Sequence, residues 1–524
     1  MGGALLQLVA YGAQDIYLTG NPQVTFFKMV YKKHTNFAIG QEKLVFTGTV
    51  DFDKKSTCII NRHGDLLSNV FLCINLPALT EKILDYSSND GVEFWTNNTT
   101  ASETKEIIKS KKIFNKKYLN QHQIISWTNS IAYAIIDYVS IDIGGQIVDK
   151  HYGEWLNIWN ELTITESKKN FNNVMLGKYN FDEWFTKGIY NNALKKKLYI
   201  PLQFWFCRNN GLSLPLIALQ HHEVKIHIKL NKFEKCWYNV HMNKSNKKMP
   251  VPEKVNIESA YLLCNYIFLD TDERRRFAKG SHEYLIDQLQ CNTRLATSGY
   301  ITDIKIPLNF NHPIKELVWA TQKGVVNETN DWFNYSNDVN VTLGDYNNVS
   351  DYLNHEIIVD NEISYDSEYL NTNYVFLNKY RTTTYTSMEA SLSEIKKNIL
   401  NTSNEYNTMN TPMIKKAKLL LNGMDRFDYH NVEYFSLLQP YLYHSCTPKN
   451  FDICVYSFCL SPEKEIPTGS CNFSRIDSAE LIINLNDSDY DVIDKSNNNY
   501  TIVYATNFNI LRIMNGMGGL AYSN

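Results

Sequence analysis

A weak internal repeat constrains this chain more than any other feature, because one strand plan occurring twice in order limits the fold to a duplicated β-architecture. In the first half, Val139, Ile141 and Ile143 alternate with polar residues and run into Gly144-Gly145, then into His151-Tyr152-Gly153-Glu154-Trp155. In the second half, Ala417, Leu419 and Leu421 run into Asn422-Gly423, then into Tyr429-His430-Asn431-Val432-Glu433-Tyr434-Phe435. Both dipeptides suit a type I′ hairpin turn, whose two central residues need positive φ, which Gly, Asn and Asp adopt at least cost. Val224, Ile226, Ile228 and Leu230 find a counterpart in Ala479, Leu481, Ile483 and Leu485. An apolar strand closes each half, at Ala260–Leu269 and Ile502–Ile513.

Strict alternation also marks Val70, Leu72, Ile74 and Leu76 against Phe71, Cys73 and Asn75, ending at Pro77. Similar runs occupy Leu44–Phe52, Cys58–Asn61, Ile135–Ile143 and Leu198–Phe204. Helical periodicity is confined to Glu154–Leu162 and Asp272–Gln290. The pattern predicts an all-β fold of two consecutive eight-stranded antiparallel jelly rolls joined by short helices. The expected divisions are an N-terminal segment 1–24, a first jelly roll 25–270, a connecting helix 271–290 and a second jelly roll 291–524. Thr271 is expected to cap the connecting helix, with Asp272 and Glu273 in its first turn as the helix dipole favours. Insertions interrupt each half, at Lys82–His122 and Val325–Asn410. The latter holds 13 acidic against four basic residues and 17 Asn, the composition of a solvated protrusion. Both precede the matched strands at Gly144 and Asn422, which places them on one end of the duplicated fold.

Composition narrows function. A net charge of −3 from 52 basic and 55 acidic residues gives no global attraction for nucleic acid. Ten cysteines spread through strand-like segments read as reduced, buried thiols rather than a disulfide framework, which predicts folding in the cytoplasm. The apolar patch Ala4–Val9 is too short for a membrane span and lacks the basic flank of a secretory signal. Leu6 stands where a myristoylation motif after Gly2 requires Ser or Thr.

Motifs that imitate chemistry have simpler structural readings. Gly516-Met517-Gly518-Gly519 resembles a phosphate loop, but the sequence given ends before a helix could follow, so close packing under a neighbour is favoured. Alternation in a strand sends His221 and His222 to opposite faces, so they cannot share a metal. Cys454 and Cys459 lack zinc-site spacing and a companion pair. The basic cluster Arg274-Arg275-Arg276 lies beside Asp270, Asp272 and Glu273, which predicts a salt-bridge set at the junction rather than a nucleic-acid site. Eleven Asn-X-Ser/Thr sequons are close to what this much Asn, Ser and Thr gives by chance. Those clustered near the second insertion, Asn327, Asn334, Asn340, Asn348 and Asn401, are the glycosylation candidates. No catalytic constellation, metal site or cofactor site stands out, and the chain is not expected to be an enzyme.

Five ordered stretches carry a family resemblance. They are Gly2–Asp15 with Tyr17–Pro22 and Thr25–Lys28, Leu214–Gln220 with His222–Val224, Leu269–Ala278 with Ser281–Ile286, Pro467–Asp477, and Asn509–Met514 with Gly516–Ser523. In these the chain resembles the double jelly-roll major capsid proteins of the nucleocytoplasmic large DNA viruses. The resemblance implies homotrimers of pseudo-hexagonal outline that tile an icosahedral shell with neighbouring capsomers over an internal membrane. It also implies a virion location and an N-terminal segment directed toward minor capsid proteins and the membrane. Jelly rolls leave broad side walls for lateral contact. Trp155, Trp159, Tyr434 and Tyr443 are candidates for those walls, with ordinary core packing as the alternative. A carbohydrate-binding jelly roll is the second functional reading, since nine Trp and 34 Tyr could stack on sugars.

Overall fold

In a computed structural model of the chain, the structure describes residues 19, 21–29, 31–79, 125–178, 195–239, 252–298, 303–324, 330, 332–335, 412–448, 453–485 and 498–522. The main strands of the first unit are β1 (Phe37–Val45), β2 (Lys55–Ile59), β3 (Leu66–Leu76), β4 (Ile136–Ile143), β5 (Gln146–Tyr152), β6 (Lys196–Pro201), β7 (Val224–Leu230) and β8 (Ser259–Leu269). Those of the second are β9 (His282–Cys291), β10 (Asp303–Pro307), β11 (Pro313–Gln322), β12 (Ile414–Leu421), β13 (Met424–Asn431), β14 (Cys454–Ser457), β15 (Ala479–Leu485) and β16 (Asn498–Met514). The first unit forms sheets in the order β1-β8-β3-β6 and β2-β7-β4-β5. The second forms β9-β16-β11-β14 and β10-β15-β12-β13, the same order shifted by eight strands. Even the minor strands repeat, because Leu214–Pro215 extends the pairing of β3 as Cys471–Asn472 extends that of β11. All these pairings are antiparallel. The duplicated jelly roll inferred from the repeat is therefore the fold.

The alternation that reveals the strands also builds the cores. Val70, Leu72, Ile74 and Leu76 of β3 and Val224, Ile226, Ile228 and Leu230 of β7 face each other's sheets in the first core. Their counterparts Leu317 and Trp319 of β11 and Leu481 and Ile483 of β15 do so in the second. Each such side chain contributes about 2 kcal/mol when fully buried. The matched hairpins close as the dipeptides require: Gly144 and Gly145 have φ of 62° and 91°, and Asn422 and Gly423 have 51° and 77°. Ile143 accordingly pairs with Gln146 and Leu421 with Met424.

Two expectations need correction. The helix expected over 271–290 ends early: after α1 (Gly153–Thr163) and α2 (Glu166–Leu176) of the first unit, α3 spans only Thr271–Lys279 and Gly280 follows it. Residues 282–291 instead form β9, which pairs position by position with β16 from His282↔Ile513 to Cys291↔Tyr504. Ten ladder positions outweigh a helical spacing of Leu285, Ile286 and Leu289, a tertiary preference that local periodicity cannot show. The run Leu44–Phe52 is likewise mostly a turn after β1, not a strand. The insertion at 82–122 and most of that at 325–410 lie outside the described residues. In chain order both fall between the third and fourth strands of their unit.

Trp319 sits at the centre of the second core, fully buried with its ring 5.1 Å from that of Phe435. Trp319→Ala is expected to destabilise the protein by about 3–5 kcal/mol in denaturant titration, through the cavity it opens.

Candidate assembly surfaces

After each matched hairpin the chain turns into a helix, and in the first unit that helix joins the two jelly rolls. α1 spans Gly153–Thr163, and its start is fixed tightly: a Cβ on Gly153 would lie 2.2 Å from the Tyr133 carbonyl oxygen. Leu156 points into its own unit's core. Trp155, Ile158, Trp159 and Leu162, at helical spacing on another face, pack on the outer face of the β9-β16-β11-β14 sheet against Val318, Val455 and Tyr504. The Trp155 ring lies 5.6 Å from Trp159 and 5.2 Å from Tyr504. Trp155 and Trp159 are therefore buried, 0% and 3% exposed, and cannot form an outer wall. They do mediate a contact between jelly rolls, but inside one chain.

A buried ionic network flanks this seam. Lys315, 1% exposed, donates from Nζ to Asp287 at 2.9 Å and to the Lys464 carbonyl at 3.1 Å. Arg208 of the first unit reaches the same Asp287 carboxylate at 3.4 Å, with its guanidinium 4.3 Å from the Trp159 ring centre. Burial pushes the Asp287 carboxyl up, against the pull of both cations. Next to Lys315, fully buried Glu316 meets Nε2 of His444 at 2.9 Å and accepts from the Thr506 hydroxyl at 3.2 Å. Nδ1 of His444 meets Glu463 at 3.1 Å, and Trp159 stands edge-on to the imidazole at 6.4 Å. The Cys446 amide donates to the Leu162 carbonyl at 2.9 Å, tying this loop to α1. Burial alone would lower the His444 pKa, but the two carboxylates outweigh it and raise it to about 9.

The glycine-rich C-terminal stretch forms a second link. Met517–Leu520 pairs with the end of β16, and the Gly516 carbonyl accepts from the His221 amide at 2.9 Å. His222 Nδ1 lies 2.9 Å from the Gly518 carbonyl oxygen. A Cβ on Gly518 would come within 2.7 Å of the Leu219 Cδ2 methyl, so a larger residue would have to displace that side chain. The neighbour under which this segment packs is the first unit of its own chain. His221 and His222 lie in a bend before β7 rather than within a strand.

At the junction, Asp270 rather than Thr271 is the N-cap: its side chain accepts from the Thr271 amide at 2.7 Å. Arg274 does not pair with its sequence neighbours but reaches Asp65 of the first unit at 2.9 Å. Arg275 approaches Asp272 at 3.9 Å across exposed side chains, a weak pair, and the Arg276 carbonyl accepts from the Gly280 amide. The Glu273 Oε2 atom has no hydrogen-bond partner among the described residues. Asn334 is only 7% exposed, so burial removes it as a glycan acceptor. Asn327, Asn340, Asn348 and Asn401 lie outside the described residues. Tyr434 and Tyr443 are half-buried on a helical segment made of a π-turn, Tyr434–Leu438, and α4, Gln439–Tyr443. Sequence reading passed over the more exposed residues between them, Leu437, Leu438, Tyr441 and Leu442. Among the described residues no group of three or more His, Cys, Asp or Glu could hold a metal ion, and no helix is long and apolar enough to cross a membrane.

Two family models match the chain, one described as the major capsid protein N-terminus over residues 25–270 and one as the large eukaryotic DNA virus major capsid protein over 273–519. The chain belongs to the major capsid proteins of large eukaryotic DNA viruses. The major capsid protein of Phaeocystis pouchetii virus is 36% identical over 561 residues, with 100% of both chains covered. That of Paramecium bursaria Chlorella virus 1 is 32% identical over 562 residues, again with 100% of both covered. A chain of the PBCV-1 virus capsid superposes with a TM-score of 0.64 at 27% identity, covering 95% of this chain and 100% of that one. The Faustovirus major capsid protein shares the fold, with a TM-score of 0.60 at 11% identity over 98% and 96% of the two chains. This capsid protein is a structural component of the virion shell, and its two family models meet at α3, where the two jelly rolls meet.

The folded pKa of His444 lies above the free value of 6.5, so its pairing is fully stabilising below pH 6.5 and is lost as pH rises through about 9. Melting temperature is expected to fall between pH 7 and 10. His444→Gln should remove that slope and cost ~3 kcal/mol at pH 7, because Glu316 is left buried without a cation.

Proposed function

We propose that this capsid protein is a self-assembling building block, three copies of which form a capsomer of pseudo-hexagonal outline. Capsomers then tile an icosahedral shell over an internal membrane. One observation carries this reading: both units have the same strand order in both sheets, so three chains supply six near-equivalent domains. The N-terminal segment 1–24 is read as lying beneath the capsomer, toward minor capsid proteins and the membrane. What supports this is the stretch that follows it, where Phe26, Phe27 and Met29 are 92%, 98% and 96% exposed, an apolar arm that calls for a partner. The insertions between the third and fourth strands of each unit belong on the opposite, outward end. There Asn327, Asn340, Asn348 and Asn401 remain the glycosylation candidates.

Synthesis and assembly in the host cytoplasm fit the chemistry of the thiols. All ten cysteines are free, and burial pushes Cys58 and Cys73 up to about 11 and Cys207 and Cys291 up to about 12. Such thiols resist both oxidation and metal binding. The role is structural rather than enzymatic, without direct binding of nucleic acid. Sugar stacking has fewer platforms than the composition offers, because among the described residues Trp127, Trp155, Trp159, Trp205, Trp237 and Trp319 are buried and Trp332 is half-buried.

Mass photometry of the purified chain should show a species of three times 60.8 kDa, and infected cells should contain shell-sized assemblies built from it. A stable monomer at every concentration, with no such assemblies, contradicts the reading.

A further inference from the structure

We propose that the seam between the two jelly rolls holds a binding site for a neutral sugar, a pyranose ring seated on Trp332. The site is a cavity of about 460 Å³ with walls from both units. That volume falls within the roughly 300–1,000 Å³ usual for small-molecule sites. Ile136 at the start of β4, Tyr152 at the end of β5 and Glu154 at the start of α1 form the first unit's side. Arg294 after β9, Gln322 at the end of β11 and Tyr504 of β16 form the second's. The cavity therefore lies at the end of the fold from which both insertions leave, the outward end in the reading above. It goes beyond that reading and does not rest on it, because all the walls belong to one chain.

The Trp332 wall is locked across the seam. Asn330, 5% exposed with φ of 57°, donates from Nδ2 to the Glu234 carbonyl at 2.7 Å and to the Trp237 carbonyl at 2.8 Å. Its own carbonyl accepts from the Thr128 hydroxyl at 2.7 Å. The Trp332 indole N–H donates to the Lys235 carbonyl at 2.8 Å, and the Trp332 carbonyl accepts from the buried Gln322 amide. The ring is thus held half-buried on the cavity with its one polar atom already bonded, which leaves its π surface for the ligand.

Polar groups of both signs stand around that ring. Gln322 Oε1 accepts from Arg294, whose guanidinium lies 5.0 Å from the Tyr500 ring centre. Glu154 Oε2 accepts from the Tyr504 hydroxyl at a long 3.5 Å, and Glu154 Oε1 and Arg294 Nε have no hydrogen-bond partner among the described residues. Burial pushes the Glu154 carboxyl up against the pull of Arg294, so the group gains from any donor that reaches it.

The charge count selects a neutral ligand. Two acids, Asp137 and Glu154, and two cations, Lys235 and Arg294, line the cavity. Lys229, which pairs with Asp137 at 2.8 Å, and Glu234, next to Lys235 in sequence, leave the count even. Such a wall has no net pull on a metal ion or a phosphate. A pyranose suits it: its C–H face lies flat on an electron-rich indole, and its hydroxyls both donate to a carboxylate and accept from a guanidinium.

Saturation-transfer NMR of the full-length chain with the methyl glycosides of glucose, galactose, mannose and xylose tests the site. At least one glycoside should receive transfer, strongest at its ring C–H protons. Trp332→Ala should weaken its binding at least about tenfold, with the melting temperature near the wild-type value. Should that variant fail to fold, Thr293→Tyr, at an exposed position lining the cavity, should block the same glycoside. Glycans released from the particle and from host cells, offered separately as competitors, tell which source carries the sugar. Four results overturn the proposal: no transfer to any glycoside, transfer unchanged in a folded variant, displacement by inorganic phosphate or methylammonium, and displacement by neither glycan pool. Each of these leaves the capsomer reading standing.

Discussion

The contact of α1 with the second unit's sheet is the interaction on which the rest of the molecule depends. Two jelly rolls joined by one nine-residue helix could take many relative positions, because α3 buries none of its own residues. Trp155 and Trp159 fix one of them. Aromatic side chains of this size bury roughly 150–250 Å² each. At about 25 cal/mol per Å² the pair contributes several kcal/mol, comparable with the net stability of a domain. The same helix carries Leu156 into its own core, so the seam and the first jelly roll cannot separate without disturbing each other.

The polar groups at the seam give it direction rather than strength. Buried ion pairs gain little net stability over apolar packing, yet losing one partner is costly, so they penalise wrong arrangements. Arg208 reaches Asp287 with its guanidinium over the Trp159 ring, and His444 bridges Glu316 and Glu463 beside the Cys446 loop that is tied to α1. The C-terminal clasp adds a contact of the opposite kind, with the His221 amide bonded to the Gly516 carbonyl and Gly518 set closely against the Leu219 side chain. A rigid pair of domains is what a shell subunit needs, because any freedom at the seam would be multiplied across the shell.

Much of the fold was legible in the sequence because strand patterning is local. The Gly144-Gly145 and Asn422-Gly423 turns, the alternation in β3 and β7 and the two closing strands all report their structure within a few residues. The end of α3 was not legible, because β9 owes its state to pairing with β16, more than 200 residues away in sequence. The seam was half legible. Trp155 and Trp159 stand out as aromatic residues at helical spacing, yet nothing in their segment says whether their own chain or a neighbour covers them. The network of Arg208, Asp287, Lys315, Glu316, His444 and Glu463 left no local signal, since its members come together from separate loops and strands.

The seating of α1 on the second unit's sheet holds the two jelly rolls in one relative position. Calorimetry of the full-length chain carrying Trp155→Ala and Trp159→Ala reports whether the two jelly rolls are coupled through that seam. Two resolved melting transitions are expected in the variant, against one in the wild-type chain. A variant that melts in a single transition of wild-type shape contradicts this coupling.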